Sequence, residues 1–141
     1  MNIMQISVFL ENKVGRLSEV TSLLAENEID LKALSISETH DFGILRLIVD
    51  DFDKAQKVLT DGQYICKTTK VIGVKLEDKP GGMAEVLKVF AEYGISIEYA
   101  YAFISHNTAN AYMICKVANE DEAIQKLQQA GINIACKNDI F

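Results

Sequence analysis

Positions 8–31 of the chain recur 66 residues later. Val8, Leu10, Glu11, Lys13, Gly15, Glu19, Val20, Ala25, Glu26 and Ile29 each meet their own residue type in 74–97, ten identities in 24 positions. Farther on, His40 meets His106, and with small insertions Ala55, Leu59 and Gly62 meet Ala123, Leu127 and Gly131. A chain of 141 residues is long enough for one ordinary domain or two small ones. The repeat decides for two copies of one unit, residues 1–68 and 69–141, joined near Lys67 to Lys70.

Each copy carries the same coarse pattern. A strand (Ile3 to Leu10; Val71 to Leu76) enters a glycine-containing turn. Apolar residues then recur at helical spacing, Leu17, Val20 and Leu24 in the first copy and Met83, Val86, Leu87 and Phe90 in the second. A second strand starts at Ile29 or Ile95; in the latter, Ile95, Ile97, Tyr99, Tyr101 and Phe103 alternate with smaller or polar residues, which predicts one face of large side chains. Polar clusters at Glu38 to Gly43 and Ser105 to Asn110 predict hairpin turns into a third strand, Ile44 to Val49 or Ala111 to Val117. A second helix is capped by Asp51 or Asp53 in one copy and by Asn119 in the other, and ends at Gly62 or Gly131. A short last strand, Tyr64 to Cys66 or Ile132 to Cys136, closes each copy. The order is βαββαβ twice. It predicts an α+β chain of two ferredoxin-like units, each an antiparallel sheet with its helices on one face, packed together as a pseudo-dimer.

The strand-to-helix turns carry the chemistry. A strand that turns straight into a helix brings unsatisfied amides and the positive end of the helix dipole to the sheet edge, a place for an anion. In the second copy Pro80 stiffens the approach while Gly81 and Gly82 open the backbone. The first copy makes the same turn with Val14 and Arg16 at the positions of Pro80 and Gly82, so one glycine suffices for the turn itself. Gly82 is therefore expected to have room to spare, and Gly82→Asp to repel an anionic ligand with little loss of folding. There is no GxxxxGK[ST] and no GxGxxG, which leaves a nucleotide without enough donors.

The segments NKVGRL (Asn12 to Leu17) and DKPGGM (Asp78 to Met83), each after a strand and each followed by IDL (Ile29 to Leu31) or ISI (Ile95 to Ile97), resemble the ACT domain, and the resemblance covers nearly the whole chain as a tandem pair. Val14 departs from the proline usual in that family. The resemblance implies a small-molecule sensor, usually of a free amino acid, in which paired units hold the ligand at their interface beside the turns. Carried over by residue, the ligand-contacting turn position falls on Asn12 and Asp78, and the motif glycine on Gly15 and Gly81. The start of the second strand, facing the turn across that interface, falls on Asp30 and Ser96. Helix N-terminal amides around Gly15, Arg16 and Leu17, and around Gly81, Gly82 and Met83 behind Pro80, suit an α-carboxylate; Asp30, Asp78 or the Asn12 carbonyl suits an α-ammonium.

Other classes fit less well. A net charge of −6 argues against nucleic acid. No apolar run reaches the roughly 20 residues of a membrane span, and the start lacks a secretory signal, so the expected location is the cytoplasm and no membrane partner is expected. Cys66, Cys115 and Cys136 lack CxxC spacing and are expected as buried reduced thiols. His40 and His106 make an incomplete metal site and are assigned to surface turns. No GxSxG, HExxH or cysteine–histidine pair points to catalysis, and no cofactor is implied. The aromatic row from Tyr99 to Phe103 could stack bases, but the acidic balance counts against RNA, and the row is expected to fill the face between the copies. Together these readings describe a non-catalytic regulatory protein that binds an amino acid and passes its output to another protein or a second copy of itself. The alternative is a regulatory subunit that binds an enzyme of amino-acid metabolism, with the ligand site secondary.

Overall fold

The computed structural model describes residues 2–38, 41–104 and 110–141. His40 and His106, with most of the polar cluster at 105–110, lie outside the described residues. The chain divides into two compact units, one from Met4 to Thr69 and one comprising Lys70–Phe141 and the start of the chain up to Ile3.

The first unit holds β1 (Ile3–Glu11), α1 (Arg16–Glu26), β2 (Leu31–Glu38), β3 (Phe42–Val49), α2 (Phe52–Asp61) and the opening of β4 (Ile65–Glu77). β3 pairs antiparallel with β1 and with β2. Ile6, Val8 and Leu10 of β1 and Leu45, Leu47 and Val49 of β3 form one cluster with Val20 and Leu24 of α1 and Ala55 and Leu59 of α2. Both helices therefore cover the same sheet face. Each fully buried Leu, Ile or Val contributes about 1.5–3 kcal/mol of transfer free energy.

The second unit repeats the plan with the rest of β4, α3 (Gly82–Glu92), β5 (Ile97–Ile104), β6 (Asn110–Val117), α4 (Glu120–Gln129) and β7 (Ile134–Ala135). β6 pairs antiparallel with β4 and β5, and β7 pairs with β4. Its core joins Ile72, Val74, Met113 and Cys115 of the sheet to Val86 and Phe90 of α3 and to Ile124 and Leu127 of α4. The βαββαβ order is thus present in both units.

Four features depart from the sequence reading. First, Tyr64 to Cys66 and Val71 to Leu76 are not separate strands, because Lys67 to Lys70 is itself extended and β4 runs unbroken through it. Second, the large residues of β5 do not share one face. A bulge between Ile97 and Tyr99 shifts the register, so Ile97 meets Val117 while Tyr99 meets Lys116. Ile95 and Ile97 pack on the core beneath the helices, whereas Tyr99, Tyr101 and Phe103 turn to the opposite face, where Phe103 stacks on Tyr112 at 5.6 Å. Third, only Cys115 is fully buried, and burial pushes its thiol up to about 12. Cys66 and Cys136 are half-buried. Cys136 instead starts a last short helix, α5 (Lys137–Ile140), in which its amide donates to the Asp139 carboxylate at 2.8 Å. Fourth, Gly62 closes α2 with an ordinary φ of −77°, and the left-handed residue is Gln63, at φ 67°. Among the described residues no helix is long and apolar enough to cross a membrane.

Candidate functional site

The two glycine turns are built alike, hydrogen bond for hydrogen bond. After β1, the Lys13 amide donates to the Glu11 carbonyl at 2.8 Å, the Arg16 amide to Lys13 at 3.3 Å and the Glu19 amide to Gly15 at 2.9 Å. After β4, Lys79 donates to Glu77, Gly82 to Lys79 and Glu85 to Gly81, each at 3.0 Å. Gly15 and Gly81 sit at φ 88° and 86°, in the left-handed region that a side chain strains. A Cβ at either would meet nothing within 4 Å, so these glycines serve the backbone and leave open space outside the turn.

Gly82 is the opposite case, and the expectation of spare room there is wrong. It is buried, and a Cβ on it would lie 2.2 Å from the Glu77 carbonyl oxygen. Its lack of a side chain lets the first turn of α3 close onto the end of β4.

The helices differ at their starts. α2 and α4 are capped by side chains, the Lys54 amide donating to Asp51 and the Glu122 amide to Asn119, both at 3.1 Å. α1 and α3 begin on Gly15 and Gly81, which make no side-chain cap. The Arg16 and Gly82 amides donate within their turns, and the first-turn amides beyond them receive no side-chain cap.

Charged side chains line each turn in the same order. Lys13 pairs with Glu11 at 2.8 Å, and Lys79 with Glu77 at 2.7 Å. The Lys13 ammonium, by hydrogen bond and charge, holds the Glu11 carboxyl below its ordinary range, and Lys79 does the same for Glu77. These pairs are exposed and contribute little to stability, so an incoming ion exchanges with them at small cost. The first turn adds Arg16, at 3.1 Å from Glu19 and 3.8 Å from Glu11, and the Tyr64 hydroxyl, which donates to Glu19 at 3.4 Å. Burial, then the Glu19 charge, raise the Tyr64 hydroxyl above its usual range.

The cavities beside the two turns are unlike. Asn12, Lys13, Arg16 and Leu17 line a space of about 200 Å³ with Ile36 and Gly43. On its other side Arg16 borders a second space of about 460 Å³, with Glu19, Tyr64, Phe9 and Phe42. In the second unit Met83 lines an apolar groove of about 380 Å³ with Leu87, Ile97, Ala100, Ala102 and Met113. Asp78, Pro80 and Gly81 are exposed and do not line it.

Asp30 and Ser96 are not brought to the turn of their own unit. Asp30 follows the far end of α1, about 16 Å along the helix axis from the turn, where its amide donates to the Asp50 carboxylate at 2.9 Å and its carboxylate pairs with Lys32 at 2.6 Å. Ser96 lies at the corresponding end of α3, beside Asn119 and Lys126. Conversely, Glu11, Glu19, Tyr64, Phe9 and Phe42 stand around the first turn although the motif does not include them, and Lys13 stands there as a motif residue to which no role was assigned. The available signal for three of them was the repeat itself, which keeps the charges Glu11/Glu77, Lys13/Lys79 and Glu19/Glu85 as faithfully as it keeps core valines.

The family model described as an ACT domain pair matches residues 1–140. The chain belongs to the ACT domain pair family. Its ACT pair is similar to protein BT0572 from Bacteroides thetaiotaomicron, with 41% identity over 99% of this chain and 96% of that one and a TM-score of 0.91. The same fold occurs in the ligand-free regulatory subunit of aspartate kinase from Thermus thermophilus, at 17% identity over 90% and 91% of the two chains and a TM-score of 0.61. It recurs in the corresponding subunit from Thermus flavus, at 16% identity over 92% and 93% and a TM-score of 0.64. No curated protein matches the chain.

Proposed function

We propose that this ACT pair is a non-catalytic regulatory protein that binds a free amino acid at its glycine turns. The observation that carries the reading is the contrast in helix caps. α2 and α4 satisfy their own first amides with Asp51 and Asn119, while α1 and α3 begin on Gly15 and Gly81 and leave that work to something else. An α-carboxylate suits those amides, with Lys13 or Arg16 beside it at the first turn. An α-ammonium suits the Asn12 carbonyl at the first turn or Asp78 at the second. Asn12, Lys13 and Arg16 among the residues lining the first cavity favour the first turn for a small zwitterion over the groove at Met83, whose lining is almost wholly apolar.

A thermal-unfolding screen against the twenty free amino acids tests this directly. A ligand at 100 times its dissociation constant adds about 2.7 kcal/mol to the native state. We expect one or two amino acids to raise the melting temperature clearly. No shift from any of them sinks the proposal and leaves the enzyme-binding subunit, for which a stoichiometric enzyme co-purifying with the chain is the expected mark.

A further inference from the structure

Across Arg16 from the turn lies the larger of the two spaces in the first unit, and its walls are aromatic. Phe9 of β1, Phe42 of β3 and Tyr64 just before β4 surround it, with Phe9 and Phe42 42% and 54% exposed. Phe42 stands opposite Glu11 and Phe9 opposite Ile44, so the two phenyl groups are diagonal neighbours on one sheet face. Leu10, Glu11 and Arg16 line both this space and the one at the turn, so the two adjoin at the arginine.

The second unit keeps the turn and omits these walls. Lys75 and Gly82 stand where the first unit has Phe9 and Arg16, and Asn110, opposite Glu77 as Phe42 is opposite Glu11, replaces Phe42. Ile132, whose amide donates to Leu127 as that of Tyr64 donates to Leu59, replaces Tyr64. The carboxylates persist, with Glu77 and Glu85 in place of Glu11 and Glu19. Sheet, helix and turn thus form without the three rings and the arginine, which leaves those four residues to serve a task that the second unit does not share.

On the reading that this ACT pair binds a free amino acid, we propose that the first unit selects one with an aromatic side chain, its carboxylate on Arg16 and its ring among Phe9, Phe42 and Tyr64. Size is the first argument. The space at the turn, about 200 Å³, is below the roughly 300–1,000 Å³ of ordinary ligand pockets, and the adjoining 460 Å³ falls within that range. Chemistry is the second. A ring gains offset-stacked or edge-to-face contacts worth about two- to tenfold in affinity per wall beyond the area it buries, and an aliphatic side chain does not. The rim suits a zwitterion. Arg16 spends one guanidinium nitrogen on Glu19, at 3.1 Å, and stands 3.8 Å from Glu11, so donors remain for a carboxylate. Glu19 receives both Arg16 and the Tyr64 hydroxyl on Oε2, which leaves Oε1 to accept from the ammonium. Two carboxylates beside one guanidinium disfavour an aryl acid that lacks the ammonium.

Thermal unfolding of the full chain with each free amino acid, and with 3-phenylpropanoate as ring and carboxylate without the ammonium, tests it. Phenylalanine, tyrosine or tryptophan is expected to give the largest rise in melting temperature, and 3-phenylpropanoate none. Phe9→Leu combined with Phe42→Leu keeps apolar bulk and removes both rings. By calorimetric titration this double variant is expected to bind the aromatic amino acid about fivefold or more weakly than the wild type. Far-UV circular dichroism checks its folding; if it does not fold, Phe42→Leu alone replaces it, with an expected loss of about twofold or more. A rise given only by non-aromatic amino acids overturns the aromatic assignment and leaves the amino-acid reading standing, whereas no rise from any of them overturns both. The assignment is also overturned if the leucine variant binds the aromatic amino acid as tightly as the wild type, or if 3-phenylpropanoate binds as well as phenylalanine.

Discussion

At the scale of the single residue, Gly82 shows how the two turns diverged. Arg16 stands at the same place in the first unit, and there the amide-to-Lys13 hydrogen bond is 3.3 Å against 3.0 Å for Gly82 to Lys79. The first turn holds a residue with a Cβ at this position, whereas a Cβ on Gly82 would lie 2.2 Å from the Glu77 carbonyl oxygen. We expect Gly82→Ala to lower the unfolding free energy by about 1–3 kcal/mol, the usual cost of forcing an atom into packed space. An unchanged urea midpoint would show that the second turn opens as readily as the first. A second residue-scale prediction concerns Glu120, whose carboxylate meets Lys116 at 2.7 Å with both side chains only about a fifth exposed. The hydrogen bond from Lys116 lowers the Glu120 carboxyl from 4.5, so its contribution is present above that pH and is lost as pH falls through the lowered value. Glu120→Gln should therefore cost up to about 1 kcal/mol at neutral pH and approach no cost in acid. A deficit that persists in acid would mean the side chain acts through packing.

At the scale of the element, two helix ends are held by residues ill suited to them. Glu28 after α1 and Gln63 after α2 take φ 57° and 67°, where the second unit has Gly94 and Gly131 at 67° and 84°. The left-handed cost of about 1–2 kcal/mol for a side chain, less about 0.4–1 kcal/mol for the extra freedom of glycine in the unfolded chain, leaves a net gain. Glu28→Gly and Gln63→Gly should each raise the melting temperature by a few degrees, and a fall would mean that the replaced side chains make contacts worth more than the strain. Most elements were legible because burial at helical and strand periods leaves a pattern, as at Val20 and Leu24 or Val8 and Leu10. The misses have equally local causes. An alternation such as Ile95 to Phe103 looks the same with or without a bulge, since the extra residue, Glu98, is invisible until partners across the ladder are known. Matching Gly62 to Gly131 put residue identity ahead of spacing, although Leu59 and Leu127 already fixed the register one residue later. The run KTTK at Lys67 to Lys70 is polar enough to resemble a joint, yet its two threonines are good strand formers.

At the scale of the whole molecule, the copies agree where the fold and the turns require it and disagree in what surrounds the turns. That disagreement makes the proposed site testable by unit. We expect Asn12→Ala to weaken the ligand-induced thermal shift more than Asp78→Ala does, because Asn12 lines the cavity beside the first turn with Lys13 and Arg16, and Asp78 lines none of those described. The reverse order would move the ligand to the second turn. Legibility was partial here for a physical reason: a motif marks the backbone turn, whereas Tyr64, Phe9 and Phe42 reach the first turn only through folding. The buried thiol has a use of its own. Cys115 sits in the core of the second unit with its thiol raised to about 12, so an alkylating reagent reaches it only when that core opens. Its labelling rate is a clock for opening of the second unit, built into the native sequence without an added probe.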